Sequence, residues 1–373
     1  MVSRTPRVAP PRPVYQSATG SSTGSAFPKE SPDRRGLRDR TGRARHRRRV
    51  SARPSPLPAF LGGSFSVADA RLAGVSSGRL QASDLDAPFH GVRQIAASAP
   101  PDEDLSIDDI ARQSERRKIR AYARVMRPHT FLAGRTAAVH LGLSVGPGAL
   151  LEVGVLAPNR APRARGVQGV KVAPHLANVI THEEVRTTDA VSTWAMLGAE
   201  LTIRELVALG DQIVRIPRDR RGALVPRQQM GTIEDLSNVV AAGRRRGIGR
   251  LQEALPLVRV GSASPLETDF RLDAAAGGLP TPALDVEIHD RNGTLLGITE
   301  FVFSQFRTAV EIEGDHHRTD RTQWNRDIDK YAAYATEGWE VVRLTSAHVR
   351  GNRSAVGVVR SVLLRRGWMP AHS

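Results

Sequence analysis

The residues best suited to chemistry lie in one stretch near the C-terminus, Thr308-Ala-Val-Glu-Ile-Glu-Gly-Asp-His-His-Arg318. Apolar and acidic residues alternate along it, which predicts a strand with Glu311 and Glu313 on the same side. Gly314 permits a sharp exit, and an aspartate and two histidines, ending at His317, follow at once. Neighbouring carboxylates repel each other and lose hydration unless a positive charge compensates them. The stretch therefore predicts a divalent-cation site at the end of a strand.

Two further carboxylates complete the predicted site. Glu300 lies on the strand before this one, and Glu267 lies in the first turn of the preceding helix. Carboxylate oxygens suit Mg²⁺ or Mn²⁺, and such an ion stabilises charge on a phosphate and activates water for in-line attack. We therefore expect Glu300, Glu311 and Glu267 to hold Mg²⁺ (or Mn²⁺). Glu313 is expected to ligate the ion or orient water, and His317 to act as a base or as an acid on the phosphate side.

Each of these residues also has a structural interpretation. Glu267 could be only the second half of a capping box that begins at Ser264. Glu300 could be a solvated residue at a sheet edge. Glu311 and Glu313 could form the solvent-facing side of a strand. These alternatives predict no metal binding.

The elements that must position the acidic residues follow a definite order. Ser264-Pro-Leu-Glu267 predicts a helix start, and Asn292-Gly293 predicts a hairpin turn. On the return strand we expect Ile298, Glu300 and Val302 to share one face. Periodicity predicts helices over 264–277, 319–337 and 353–366, and strands over 284–288, 295–303, 308–314 and 339–344.

This helix-strand-strand-strand-helix-strand order is that of restriction-endonuclease-like (PD-(D/E)xK) nucleases, whose signature is a carboxylate, a gap and then (Asp/Glu)-x-Lys. The sequence resembles the endonuclease-like domain related to very short patch repair endonucleases, which implies a metal-dependent nuclease fold. The family commonly has Asp where this chain has Glu300, and Glu313 occupies the lysine position. The motifs that carry the resemblance are Ser264-Pro-Leu-Glu267, Val310-Glu-Ile-Glu-Gly-Asp-His-His317, Gln323-Trp-x-x-Asp327 and Gly338-Trp-Glu-Val-Val-Arg-Leu344.

The first ordered segment is predicted near residue 64. Ser66-Val-Ala-Asp69 favours a short helix, Val75-Ser-Ser-Gly-Arg-Leu80 a second one, and Pro88-Phe-His-Gly-Val-Arg93 a strand or wing. This is the plan of a winged helix-turn-helix, and the alternative is a small docking subdomain that touches no DNA. In the DNA-binding interpretation, the residues that face the groove are Ser77, Arg79 and Gln81.

Residues 105–258 predict an α/β middle domain. Together with the winged helix, Arg135-Thr-Ala-Ala138 and Thr188-Asp189…Thr193 resemble the AbiEi-type antitoxin domain. The resemblance implies an antitoxin-like, DNA-binding N-terminal half. Periodicity predicts helices over 106–123, 135–142, 191–199, 203–214 and 233–242, and strands over 151–156 and 167–172.

Most of the excess positive charge lies at the N-terminus. The formal net charge is +16, and residues 1–53 hold 14 basic side chains against 3 acidic ones. Residues 1–62 are rich in Pro, Ser, Gly and Arg without periodicity, which predicts a disordered basic tail. Such a tail either holds phosphates weakly or is dispensable. The charge argument for a nucleic-acid partner therefore depends mainly on this tail.

Composition also bounds the compartment. The chain has no cysteine, which excludes disulfides and thiolate metal sites and suits a reducing cytoplasm. Its apolar runs stay below the ~18 residues of a membrane span, and no apolar segment of a signal peptide follows the basic start. We therefore expect a cytoplasmic protein without membrane contact.

These observations predict an α+β multidomain chain, with a winged-helix-like part over 63–99, an AbiEi-like part over 105–258 and an endonuclease-like part over 261–373. The first functional hypothesis is a metal-dependent DNA endonuclease. The second is a non-catalytic DNA-binding regulator of the antitoxin type, in which the nuclease fold is only a scaffold. A third is a module that neutralises a partner toxin protein. The residues leave open the choice between DNA and RNA and the oligomeric state.

Overall fold

The computed structural model describes residues 54–97, 105–313 and 321–370, with the backbone alone over 321–327. The predicted tail up to residue 53 and the predicted base His317 lie outside the described residues. From Pro54 onward the chain belongs to one compact unit, and its strands form three sheets among many helices. The expected mixture of helices and sheets is therefore confirmed. Each helix of the described ranges is too short or too polar to traverse a lipid bilayer.

The first sheet is small and antiparallel, with the strand order β1-β3-β2. Ser66 caps its helix by accepting a hydrogen bond from the Asp69 amide at 2.9 Å, as the sequence predicts. Its elements are β1 (Ser64–Ser66), α1 (Val67–Leu72), β2 (Leu85–Asp86) and β3 (Val92–Ile95).

The second predicted helix of this segment is a single 3₁₀ turn, Arg79–Gln81. The helix does not extend further because the residues before it, Ser76-Ser-Gly78, are poor helix formers. The single turn still buries Leu80. Leu57 and Leu61, which the composition places in the tail, pack instead into the same small core as Leu80.

The second sheet has five strands in the order β6-β5-β4-β8-β7. The core beneath it surrounds Trp194, whose indole N–H donates to the Leu206 carbonyl at 2.8 Å. The predicted helices and the two six-residue strands are confirmed, whereas β4, β7, β8 and α7 have no counterpart among the predictions. This region contains α2 (Ile107–Ala123), β4 (Thr130–Leu132), α3 (Gly134–His140), β5 (Leu151–Leu156), β6 (Val167–Val172), β7 (Val179–His182), β8 (Val185–Thr188), α4 (Ala190–Met196), α5 (Ile203–Val214), α6 (Ile233–Ala241) and α7 (Ile248–Ala254).

The two motifs that resemble the antitoxin domain, Arg135-Thr-Ala-Ala138 and Thr188-Asp189…Thr193, lie inside this region and contact neighbouring helices and turns. Thr136 Oγ1 donates to Glu115 Oε1 at 3.1 Å, and the hydroxyls of Thr188 and Thr193 lie 2.7 Å apart. Asp189 caps α4 by accepting from the Ser192 amide at 2.7 Å. These motifs therefore position helices.

The third sheet has the order β12-β11-β10-β9, with β11 and β12 parallel and the other neighbours antiparallel. One face packs on α8 and α10 around Phe270 and Phe301, and the other packs on α9 around Tyr334. The sequence predicts all of these elements to within a few residues of their ends. They are α8 (Pro265–Ala276), β9 (Ala283–His289), β10 (Leu295–Phe303), β11 (Thr308–Glu313), α9 (Arg321–Thr336), β12 (Glu340–Thr345) and α10 (Ala355–Arg365).

A buried aspartate joins α5 to α8. Asp211, 1% exposed, forms an ion pair with Arg271 at 2.6 Å and accepts from Thr268 Oγ1 at 2.8 Å. It also accepts from the Arg259 amide at 2.7 Å. These bonds tie the first helix of the C-terminal part to the middle of the chain.

Candidate active site

The two central strands of the third sheet separate where the predicted acidic residues begin. Backbone pairing joins 301–303 of β10 with 308–310 of β11. Beyond it, the Ile312 amide donates to Glu300 Oε2 at 2.5 Å. A side-chain carboxylate thus bonds a strand amide, which holds Glu300 in the opening between β10 and β11.

The alternation of side chains along β10 breaks at Glu300. Val302 packs beside Tyr334 on the α9 side, and the hydroxyl of Thr299 lies 3.0 Å from that of Tyr334 on the same side. Residues three apart point to opposite faces in an unbroken strand. The prediction that Ile298, Glu300 and Val302 share one face is therefore wrong, because the strand is irregular between Thr299 and Val302.

Glu300, which is half-buried, lies near the buried Glu267. Glu267 is 4% exposed and its carboxylate accepts from the Ala263 amide at 2.6 Å, while its own amide donates to Ser264 Oγ at 3.2 Å. Burial raises the pKa of Glu267. Burial, followed by repulsion from Glu267, raises the pKa of Glu300 to about 8. The two carboxylates therefore resist carrying negative charge together.

An arginine from the middle of the chain fixes the neighbouring strand. Asp285 on β9 has a positive φ of 51°, and Arg218 Nε donates to its two carboxylate oxygens at 3.0 and 2.9 Å. Arg218 Nη1 also donates to Glu287 Oε1 at 2.7 Å. These contacts offset the cost of the left-handed backbone at Asp285. They also fix the strand β9 beside the irregular part of β10 that carries Glu300.

A helix supplies a lysine to Glu311. Lys330 Nζ on α9 forms an ion pair with Glu311 Oε1 and donates to the Ile298 carbonyl at 2.8 Å. Tyr331 OH donates to Glu311 Oε2 at 2.9 Å, and Thr299 Oγ1 donates to Oε1 at 3.1 Å. Both oxygens of Glu311 are thus held in place.

Lys330 is absent from the predicted site because the nuclease signature places its lysine on the strand, at the position that Glu313 occupies here. One signal for it was present in the sequence. The chain has four lysines against fifty arginines, and Lys330 is the only lysine between residues 261 and 373.

Glu313 is paired with an arginine of the adjacent strand. Arg343 on β12 forms the ion pair with Glu313, and its guanidinium lies 5.1 Å from the centre of the Tyr331 ring. Glu311 contacts Tyr331 of α9, and Glu313 contacts Arg343, which packs on the same tyrosine ring. The two glutamates therefore lie on the same side of β11, as the period of two predicts.

The predicted DNA-contacting residues lie on the small N-terminal part. Ser77 and Gln81 are exposed. The side chain of Arg79 is only 9% exposed, because its guanidinium makes two 2.8 Å bonds to Asp84 and one of 2.6 Å to the Ser55 carbonyl. Arg79 therefore stabilises the turn in which it lies.

The chemistry of the acidic residues suits a hard divalent cation. The buried Glu267 and the half-buried Glu300 repel each other when both are charged, and neither forms an ion pair with a lysine or arginine of the described ranges. A cation would relieve that repulsion. Among the described side chains, however, no group of three or more His, Asp or Glu is close enough to hold an ion. The described side chains by themselves therefore do not form a metal site.

No family model and no solved structure matches the chain. Two proteins of Mycobacterium tuberculosis, from strains CDC 1551 and H37Rv, are each 31% identical over 117 residues, which is 31% of this chain. Both are described as uncharacterized, and the match spans 43% of their length.

Proposed function

We propose that the chain is a metal-dependent DNA endonuclease with a restriction-endonuclease-like C-terminal part. The observation that carries the proposal is the placement of Glu300, backed by Glu267, in the opening between β10 and β11 beside the Glu311–Lys330 pair. The element order from α8 to β12 supports the same fold. Half-buried carboxylates on adjacent central strands, with the buried Glu267 behind them, are costly without a function that uses their charge.

Each residue has a defined role. Glu300 and Glu311 supply oxygen ligands to Mg²⁺ or Mn²⁺, and Glu267 supports Glu300 from behind. The ion supplies charge stabilisation on the phosphate and activation of water. Lys330 Nζ, fixed by the Ile298 carbonyl, provides the positive charge that the strand itself lacks at Glu313.

Ligation requires Glu300 in its charged form. Since the pKa of Glu300 is raised to about 8 by burial and by Glu267, metal binding must displace a proton from its carboxyl group below that pH. We therefore expect both metal affinity and cleavage to increase from neutral to mildly alkaline pH.

The N-terminal half has a separate role in this proposal. Its small sheet, with α1 and the 3₁₀ turn, acts as an antitoxin-like DNA-binding part related in plan to winged helices. Ser77 and Gln81 are exposed and remain the groove-facing candidates, whereas Arg79 acts by holding the turn.

A second function is supported by a specific observation. Glu311 and Glu313 are each paired with a basic side chain, Lys330 and Arg343 respectively. Such pairing satisfies the two acidic residues without a metal ion, as expected of a DNA-binding regulator with a non-catalytic nuclease fold. That alternative predicts DNA binding without cleavage in any metal.

The proposal is tested by mixing supercoiled plasmid with the full chain and Mg²⁺ or Mn²⁺. We expect nicking by the natural chain and its loss in Glu311→Ala. Equal nicking by both proteins indicates a contaminating nuclease. DNA binding without nicking by either protein favours the regulator.

A further inference from the structure

A basic cleft lies between the small N-terminal sheet and the region that contains α2. It consists of two adjoining pockets of about 530 and 960 Å³. The two pockets share Phe89, His90 and Val125. Six arginines from four separate segments line this basic cleft: Arg71, Arg93, Arg127, Arg160, Arg163 and Arg165. Arg93 is half-buried and donates to the Leu80 and Val92 carbonyls, so the other five are the arginines that face solvent.

The cleft is built on a packed floor. The rings of Phe89 and Tyr122 meet edge to face with their centroids 5.2 Å apart, and the two residues are only 7% and 8% exposed. Gly166 has a φ of 81°, and a Cβ there would lie 3.2 Å from the Phe89 ring. Gln94 Nε2 also donates to the Arg117 carbonyl at 3.1 Å. The walls are therefore held in a fixed relation by the core.

Five arginines of the basic cleft have no acidic partner among the described residues. Several arginines elsewhere are neutralised by an aspartate or glutamate, for example Arg135 by Glu200 and Arg343 by Glu313. Other exposed arginines are unpaired as well, but the cleft brings five of them together. The five cleft arginines are all exposed, and none forms an ion pair with an acidic side chain of the described ranges. Their charges repel one another and attract a polyanion.

We propose that the basic cleft binds the phosphate backbone of duplex DNA. A guanidinium donates two parallel hydrogen bonds to a phosphate, and such contacts fix the protein on DNA without sequence preference. A groove for single strands needs exposed aromatic rings on which bases stack. The aromatic residues here, Phe89 and Tyr122, are buried against each other, which favours the duplex.

The basic cleft and the proposed nuclease site share only the premise that the partner is DNA. Binding in the cleft requires no metal ion and no cleavage. It is therefore measured in EDTA, where failure of the basic cleft and failure of the nuclease site give separate results.

The test compares two triple variants of the full chain that remove the same charge. The cleft variant is Arg127→Gln, Arg160→Gln and Arg163→Gln. The control variant is Arg227→Gln, Arg244→Gln and Arg246→Gln, whose arginines are exposed outside the basic cleft. Both keep the basic N-terminus, so its contribution cancels. Fluorescence anisotropy of a labelled random-sequence duplex is followed over a range of salt concentrations.

We expect the cleft variant to bind at least ~10-fold more weakly than the natural chain. Its plot of log affinity against log salt should be shallower by about 0.9 for each phosphate that the variant no longer neutralises. The control variant should stay within ~2-fold of the natural chain. Thermal melting should be unchanged in both variants, because the substituted side chains are exposed.

Three results would overturn the inference. Equal weakening in the two variants means that only net charge matters. Cleft-dependent binding that is stronger to single-stranded DNA or RNA assigns the basic cleft to another nucleic acid. Competition by polyglutamate as effective as competition by duplex assigns it to an acidic protein.

Discussion

At the scale of single residues, Glu300 is shaped by opposing forces. The Ile312 amide and the charge of Lys330 favour its ionised form, whereas burial and the charges of Glu267 and Glu311 oppose it. Burial and the neighbouring negative charges outweigh the stabilising contacts, since the pKa of Glu300 is raised to about 8. This carboxyl group therefore keeps its proton up to mildly alkaline pH.

The first prediction concerns pH. Because the folded pKa of Glu300 is about 8 and its ordinary value is 4.5, its contribution to stability is fully present below 4.5 and is lost as pH rises towards 8. Glu300→Gln cannot ionise. Without metal, its melting temperature relative to the natural chain should therefore rise by several degrees between pH 5 and pH 8. Glu253→Gln, an exposed acid on α7, should show no such trend, and a constant difference for Glu300→Gln would contradict the assignment.

The second prediction concerns the metal ion. At pH 8, Mn²⁺ at about 100 times its dissociation constant should stabilise the natural chain by ~2.7 kcal/mol. Differential scanning fluorimetry should record this as an increase in melting temperature. Glu300→Gln should respond little, since it lacks a charged ligand, while Glu253→Gln should respond as the natural chain does. An equal response in Glu300→Gln would place the ion elsewhere.

The third prediction concerns Lys330. Substitution to Met removes the charge beside Glu311 and should slow plasmid nicking by about 100-fold, the usual cost of losing one charge-stabilising donor. Lys171→Met changes an exposed lysine on β6 and serves as the control. Nicking by Lys330→Met within ~2-fold of the natural rate would show that its role is confined to packing.

At the scale of elements, predictability follows length and the clarity of the end signals. The six-residue or longer strands and the capped helices of the C-terminal part can be predicted, because Ser264 and the Asn292-Gly293 turn mark their ends. The strands β4, β7 and β8 have three or four residues, too few to show a period.

Two features of the site could not be inferred from periodicity. The irregular strand at Glu300 lies beside the left-handed backbone of Asp285 on the neighbouring strand, which a residue-by-residue pattern does not reveal. The Lys330–Glu311 pair crosses from helix to strand. Both depend on contacts between segments that are distant in sequence.

The fourth prediction tests the joint between α5 and α8. Asp211→Ala leaves Arg271, whose side chain is only 11% exposed, without its partner, and breaking such a largely buried pair costs about 3–5 kcal/mol. Urea denaturation should show this loss as a lower midpoint with an unchanged slope. Asp86→Ala, at an exposed position of β2, should change the free energy of unfolding by less than ~0.5 kcal/mol. A loss below ~1 kcal/mol for Asp211→Ala would show that hydrophobic packing alone holds the joint.

At the scale of the whole molecule, composition understates the basic surface. Outside residues 1–53 the chain carries 40 basic and 35 acidic side chains, which by itself gives little reason to expect a polyanion partner. The structure divides these charges unequally. Several arginines around the C-terminal sheet are paired with acids, whereas five arginines of the basic cleft are exposed and have no acidic partner among the described residues. Net charge cannot show this division.

We propose above all that Glu300 and Glu311, at the opening between β10 and β11, bind a metal ion with which the protein cuts DNA. The most direct measurement is the rate of plasmid nicking at pH 8 in Mn²⁺ and in EDTA, for the natural chain, Glu300→Gln and Glu253→Gln. We predict nicking by the natural chain and by Glu253→Gln in Mn²⁺, none in EDTA, and a rate lower by at least ~100-fold for Glu300→Gln. Nicking by Glu300→Gln at the natural rate, or no nicking by the natural chain in Mn²⁺, would contradict the claim.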